Sequence, residues 1–259
     1  MSPAEITGFV LSAFAEPRFM LAAAVAFVAG LVRGFAGFGA AMIFMPVASS
    51  IVAPQTAAAG FLVMDTVLTL PLVAGAARHC EWHTVLPAAI AGMLVVPLGA
   101  WVLAHGDPLT LRWIISIVVL ALLGLLLSGW RYTGKPTVPA SLAVGGCAGF
   151  LSGTTQVSGP PVVAFWVSGS SSAQAIRANL IMFFFLDGLA AFAAFASHGF
   201  FTADTMKLIV AGAPTFALAI FLGAHGFGRT SDTFYRRIAF AMIAIAAITG
   251  MPVLDGLLR

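Results

Sequence analysis

The chain has 259 residues, of which 61% are apolar and only 8% charged, and its mean hydropathy is +1.05. A water-soluble domain carries about three times that charge density and has too little interior to hide so much apolar side chain, so the solvent is lipid. The 12 basic and 9 acidic residues leave a net charge of +3 and form no run, which excludes a nucleic-acid binder, a soluble enzyme, a disordered chain and a disulfide scaffold.

At about 20 residues per crossing, the length allows roughly eight to ten membrane segments and little else. The opening residues lack the basic start of a secretory signal, so the first long apolar run is expected to stay in the membrane. Ile6 to Phe14 is too short to span and is expected to form an interfacial helix. Apolar stretches then run at about 20–50, 55–77, 84–104, 109–129, 138–168, 175–197, 204–223 and 234–252. The loops between them are short, and the longest polar link, Arg131 to Pro139, leaves no room for an extramembrane lid. Cys80 falls in a polar loop and Cys147 in an apolar run, so no structural disulfide is expected.

Two stretches are too long for one crossing, and both are broken. Residues 20–50 carry Arg33-Gly34-Phe35-Ala36-Gly37-Phe38-Gly39, and residues 138–168 carry Ser152-Gly153-Thr154-Thr155-Gln156-Val157-Ser158-Gly159-Pro160-Pro161. Glycine and proline at this density do not hold a straight helix, and non-helical backbone at membrane depth needs protein or water around it. Gly30/Gly34 and Gly145/Gly149/Gly153 also have the four-residue spacing of close helix contacts. That packing role does not account for the polar groups gathered at the same breaks.

The broken stretches are copies. An offset of 119 places Ala29-Gly30 on Ala148-Gly149, Gly34 on Gly153, Gln55 on Gln174, His79 on His198 and Trp82 on Phe201. An offset of 124 places Leu98-Gly99 on Leu222-Gly223 and Arg112 on Arg236. The chain is therefore read as one membrane domain, residues 1–259, built of two homologous halves at about 20–131 and 139–252. Paired discontinuous segments in two repeats point to a transport site. If each broken stretch is re-entrant, each half crosses three times and the halves are inverted. One face then receives seven basic residues (Arg78, Arg131, Lys135, Arg177, Arg229, Arg236, Arg237) against four on the other (Arg18, Arg112, Lys207, Arg259). Full crossings would split them six to five, so the positive-inside bias favours inversion.

Arg33 interrupts an apolar run and joins the first glycine break. An intramembrane arginine is costly unless paired or hydrated, and its planar guanidinium suits an oxyanion, with the N–H groups at Gly37 and Gly39 as further donors. Its structural alternative is a partner for Asp65. The second break offers Thr154, Thr155, Gln156 and Ser158, neutral donors able to replace part of an anion's water shell, or else to satisfy carbonyls freed by the prolines. Asp65 and Asp187 lie within apolar runs and are candidates for proton coupling or for ion pairing with Arg33 or Arg177; Asn179 is a further candidate lining residue. His79-Cys80-Glu81-Trp82-His83 has metal-ligand spacing, but the copy at His198 keeps one histidine and an aromatic, which favours an interfacial anchor. No metal or cofactor is expected, and no catalytic constellation points to an enzyme.

These motifs resemble the sulfite exporter TauE/SafE family, also called the toluene sulfonate uptake permeases. The resemblance rests on Gly34 through Pro46, on Gly149 through Pro161, on the loops before Trp82 and Phe201, and on the segments beginning Arg112 and Arg236. It covers about residues 20 to 252, and Asp65 and Asp187 depart from the family's usual neutral polar residues. It implies an all-α, multi-pass protein of a bacterial inner (cytoplasmic) membrane that moves sulfite, sulfoacetate or a related sulfonate. The expected mechanism is alternating access around a central anion site near Arg33, Gly37, Gly39, Thr154, Thr155, Gln156 and Ser158, in the export direction. The partners expected are the small anionic substrate, the lipid bilayer and, as an open option, a second copy in a homodimer; nucleic acid is not expected. A passive anion channel and an anion-binding membrane subunit without flux are the alternatives.

Overall fold

A computed structural model of the chain describes residues 2–130, 132–134, 137–167, 172–225 and 232–258. Of the basic residues that orient the halves, Arg131, Lys135, Arg229 and Arg259 lie outside the described residues, as does the side chain of Arg236. The elements are α1 (Pro3–Ala15), α2 (Pro17–Ala36), α3 (Ala40–Ile51), α4 (Pro54–His79), α5 (Trp82–His105), α6 (Pro108–Ser128), α7 (Val138–Thr155), α8 (Gly159–Trp166), α9 (Ala173–Ser197), α10 (Ala203–His225) and α11 (Asp232–Thr249), with a short 3-10 turn and α12 (Asp255–Leu258) at the end. No strand occurs among the described residues.

Among the described residues six helices are long and apolar enough to cross a membrane: α2, α4, α5, α6, α9 and α10. This is fewer than the eight to ten segments expected from length alone. The difference lies in the broken stretches and in the last helix. α3 is only 12 residues long and α8 only 8. Glycine, serine and threonine dilute the apolar character of α7, and the apolar part of α11, Arg237–Thr249, is short. The first helix, α1, is short and mostly exposed, with Ser2 and Glu5 forming a reciprocal cap at its start.

Element boundaries around the two breaks share one spacing. The ends of α2 and α7 (Ala36, Thr155), the starts of α3 and α8 (Ala40, Gly159) and the starts of α4 and α9 (Pro54, Ala173) all keep the offset of 119. Tertiary packing then crosses between the copies. The chain forms two compact units: Met1–Met64 with Asp107–Leu120 and Gly199–Arg259, and Asp65–Gly106 with Ala121–His198. In the first unit, α2 of repeat one packs on α10 of repeat two; in the second, α7 of repeat two packs on α5 of repeat one.

Both pairs use the same glycine contacts. A methyl group at Gly34 would strike the Ile220 carbonyl, and one at Gly223 would strike that of Leu31. In the other unit Gly153 faces the Val96 carbonyl and Gly99 that of Phe150, the equivalent atoms at offsets of 124 and 119. Both pairs run parallel, since Gly30 meets Phe216 and Gly34 meets Ile220, while Gly145, Gly149 and Gly153 meet Ala88, Gly92 and Val96 in turn. Lipid tails are as apolar as leucine, so close backbone approach at small residues, rather than hydrophobic burial, holds such helices together.

Aromatic packing fills each unit. Phe61 stacks on Phe44 at 5.4 Å and meets Phe216 edge-on at 6.0 Å in the first. In the second, Tyr132, Phe165, Trp166 and Phe183 form a chain of rings 5.2 to 5.9 Å apart. The buried indole N–H of Trp166 donates to the Thr84 hydroxyl at 3.2 Å, which ties the end of α8 to the first turn of α5. Cys80 and Cys147 are free thiols.

Candidate functional site

The first break begins where α2 ends. Gly37 takes the left-handed conformation (φ +75°) that a Cβ disfavours, and its N–H closes the helix on the Arg33 carbonyl at 2.8 Å. Gly39 (φ +91°) then caps α3, so the chain leaves one helix C-terminus and enters a helix N-terminus within three residues. Arg33 sits in the last turn of α2, half-buried, with a guanidinium N–H directed to the Gly37 carbonyl at 3.5 Å. A cation there complements the helix dipole, and the opening N–H groups of α3 lack acceptors within their own helix.

The second break repeats the left-handed turn that ends the helix but not the left-handed start of the next one: Ser158, at the position of Gly39, has φ −101°. Gln156 stands at the position of Gly37 and also adopts the left-handed conformation (φ 58°), the one non-glycine residue with positive φ among those described. Its N–H meets the Ser152 carbonyl at 3.1 Å, as Gly37 meets Arg33, and its side-chain amide donates to the same oxygen at 2.7 Å. Thr154 donates to the carbonyls of Phe150 (2.9 Å) and Gly99 (3.3 Å), and Thr155 donates to that of Leu151 at 2.9 Å. Thr155 also accepts from the Val157 N–H. Ser158, buried, starts α8 without a side-chain cap. Pro160 and Pro161 remove two N–H donors from that helix start, so the second break is poorer in backbone donors than the first.

Asp187 lies in the middle of α9 and is 2% exposed. The Ser152 hydroxyl lies beside its carboxyl, and among the described residues its Oδ1 has no hydrogen-bond partner. That oxygen stands 2.9 Å from where a Cβ on Gly92 would be, so the glycine makes room for the carboxyl. The residue at the matching offset is Phe216 for Gly92 and Leu68 for Asp187, so neither the glycine nor the acid recurs. Asp65 is half-buried, and its repeat equivalent is Phe184 rather than Asp187. The two acids therefore differ in register by three residues.

Asn179 is fully buried and brackets Glu81: its Oδ1 accepts the Glu81 N–H at 2.8 Å, and its Nδ2 donates to the Glu81 carboxyl at 3.1 Å. It thereby pins the start of α5 to α9. Arg177 lies ten residues before Asp187, about 15 Å along the helix, and lines an open groove. Among the described residues no three histidine, cysteine or acidic side chains come together as a metal site. Burial, reinforced by the charge of Glu81, pushes the Cys80 thiol up to about 11, which keeps it protonated at neutral pH.

Sequence reasoning missed Ser152 and Glu81. Ser152 is the equivalent of Arg33, so the duplication held the signal that marked it. Residues 22–250 match the family described as sulfite exporter TauE/SafE. The chain belongs to that family. The match spans both broken segments and runs from within α2 through α11, and the family is one of membrane transporters. Neither a curated protein nor a solved structure matches the chain.

Proposed function

We propose that the protein is a carrier that exports sulfite or a related small sulfonate by alternating access. The observation that carries the reading is the family match over 22–250, which includes both glycine-rich breaks. In this reading the first break, taken by itself, offers Arg33 and the N–H groups of Gly37 and Gly39 to an oxyanion, and the second, taken by itself, offers Gln156 and Ser158, since the Thr154 and Thr155 hydroxyls are spent on backbone carbonyls. Gln156 supports it most directly. An L-residue costs about 1–2 kcal/mol in the left-handed region, and glycine serves the same turn in the other copy. A side chain kept at that cost is one with a task beyond capping.

The repeats are inverted in this reading, with re-entrant first segments. Two relations support it. α7 and α9 both run parallel to α5, because Gly145 and Asn179 meet the start of α5 while Gly153 and His198 meet its end. The chain between α7 and α9 must then return to the side where α7 began. Three crossings, α4 to α6, also separate α4 from its copy α9, and an odd number reverses direction.

The test is flux from sulfite-loaded proteoliposomes, with sulfoacetate, an aryl sulfonate and acetate as parallel loads. Sulfite or sulfonate efflux is expected from the wild type. Arg33→Ala is expected to lose it while staying monodisperse in detergent. Normal flux from that variant removes Arg33 from the anion's path, and no flux of any sulfur oxyanion from the wild type refutes the transport reading.

A further inference from the structure

Within the second unit, the C-terminal end of α4 and the N-terminal end of α9 line a groove of about 300 Å³. Its polar end is formed by His79, Gln174 and Arg177, and its floor by Pro71, Leu72, Gly75, Ala76 and Ile181. His79 is the last residue of α4, and Gln174 and Arg177 fall in the first turns of α9, so the polar groups gather at the ends of two apolar helices. Pro71 lies eight residues inward, about 12 Å at helical rise. The groove thus grades from charged to apolar over the depth that separates a lipid phosphate from the upper acyl chain.

Its polar end has a chemical bias. The His79 Nδ1 faces the Gly75 carbonyl at 3.0 Å, so that nitrogen donates inward and Nε2 is the ring atom able to pair with a hydroxyl, which can either donate or accept. Arg177 is exposed and suits a phosphate, while Gln174 offers both donor and acceptor. The duplication separates what the fold needs from what this end has added. Gln174 and His79 are matched by Gln55 and His198, and His198 makes the same bond to a carbonyl four residues back. Arg177 and Arg78 are matched by Ala58 and Ser197, so the cations belong to one copy of the motif alone. Basic groups between helices at one membrane face are the recognised means of holding anionic lipid.

We propose that this groove seats an anionic glycerophospholipid with a hydroxyl-bearing headgroup: its phosphate on Arg177 and Gln174, its hydroxyl on His79, and its acyl chain along Pro71, Leu72 and Ile181. The transport reading does not depend on this site. The probe is phosphatidylglycerol, added to the delipidated full-length protein in neutral detergent and read by native mass spectrometry and thermal shift, with phosphatidylcholine and glycerol 3-phosphate in parallel. A one-to-one phosphatidylglycerol adduct is expected, at least tenfold weaker in Arg177→Ala and in the groove-filling Leu72→Trp, and unaffected by Arg237→Ala, which removes an exposed charge elsewhere. Equal retention of the two lipids, or wild-type binding by Arg177→Ala, would overturn the proposal. Glycerol 3-phosphate stabilising as well as the lipid would mark a soluble-phosphate site and also overturn it. So would Leu72→Trp changing the protein from dimer to monomer with lipid binding intact, since the occupant would then be a second copy. Sulfite efflux measured on the same variants keeps failure of this site distinct from failure of transport.

Discussion

Ser152 lies beside the carboxyl of Asp187 in the interior of the second unit, and an offset of 119 places Arg33 on Ser152. One position in a duplicated turn thus carries a cation in the first copy and a hydroxyl held against an acid in the second. An ionised carboxylate buried with a single hydroxyl partner is expensive, since the cost of desolvating a charge is several kcal/mol. Such a group persists where its protonation is used. If the proposed transport is coupled to protons, Asp187 is the acid to test first, because it is the more buried of the two.

Replacing the acid by its neutral isostere tests this. Asp187→Asn removes the buried ionisable group with little change of shape. It is expected to raise the melting temperature slightly and to flatten the pH dependence of efflux from proteoliposomes. An unchanged pH profile would confine Asp187 to a structural role. Asp65→Asn, at a half-buried position, is expected to leave the profile as it was.

Gln156 separates backbone cost from side-chain function. Gln156→Gly relieves the left-handed strain and is expected to gain about 1 kcal/mol of stability in a thermal melt, while losing the amide and most of the flux. Gln156→Asn keeps an amide in a conformation that asparagine tolerates, and is expected to retain partial transport. If the glycine variant transports normally, Gln156 is a helix cap and nothing more.

The glycine contacts between α5 and α7 predict a position-dependent penalty. Gly149→Val would drive its side chain into the backbone of Gly92, and a loss of about 1–3 kcal/mol is expected, read as a lower melting temperature. Gly124→Ala, with nothing within 4 Å of the new methyl group, is expected to leave that temperature unchanged or raise it. Equal effects at the two sites would argue against close backbone packing.

Acid should loosen the first unit at one point. Glu16 accepts from Lys207 at 2.5 Å and from Arg18 at 2.8 Å, and these cations hold its carboxyl below its ordinary value near 4.5. A group whose folded-state value is depressed contributes stability above its unfolded value and loses it as pH falls through the folded one. The melting temperature is therefore expected to step down below about pH 4.5, and Glu16→Gln is expected to lack that part of the step.

The two breaks and the duplication were legible without coordinates because each rests on local chemistry. Glycine tolerates the left-handed turn that ends a helix, two consecutive prolines suit the first turn of the next one, and the offset of 119 recurs at the helix ends around both breaks. The candidate site was legible only as residue types. Neighbouring sequence does not state that the Thr154 hydroxyl is shared between Phe150 and Gly99, 55 positions away, or that Asn179 closes on Glu81. Those partners depend on which helices meet.

Composition and spacing by themselves determined a helical membrane protein interrupted at two glycine-rich turns, and pointed to two copied halves. Only the tertiary structure decided that the copies exchange partners, α2 with α10 and α7 with α5. The physical reason is that in lipid every apolar helix face is equally at home. Pairing is therefore chosen by where small residues on two distant helices let the backbones touch, and Gly34 with Gly223, and Gly153 with Gly99, meet that condition across the repeats rather than within them.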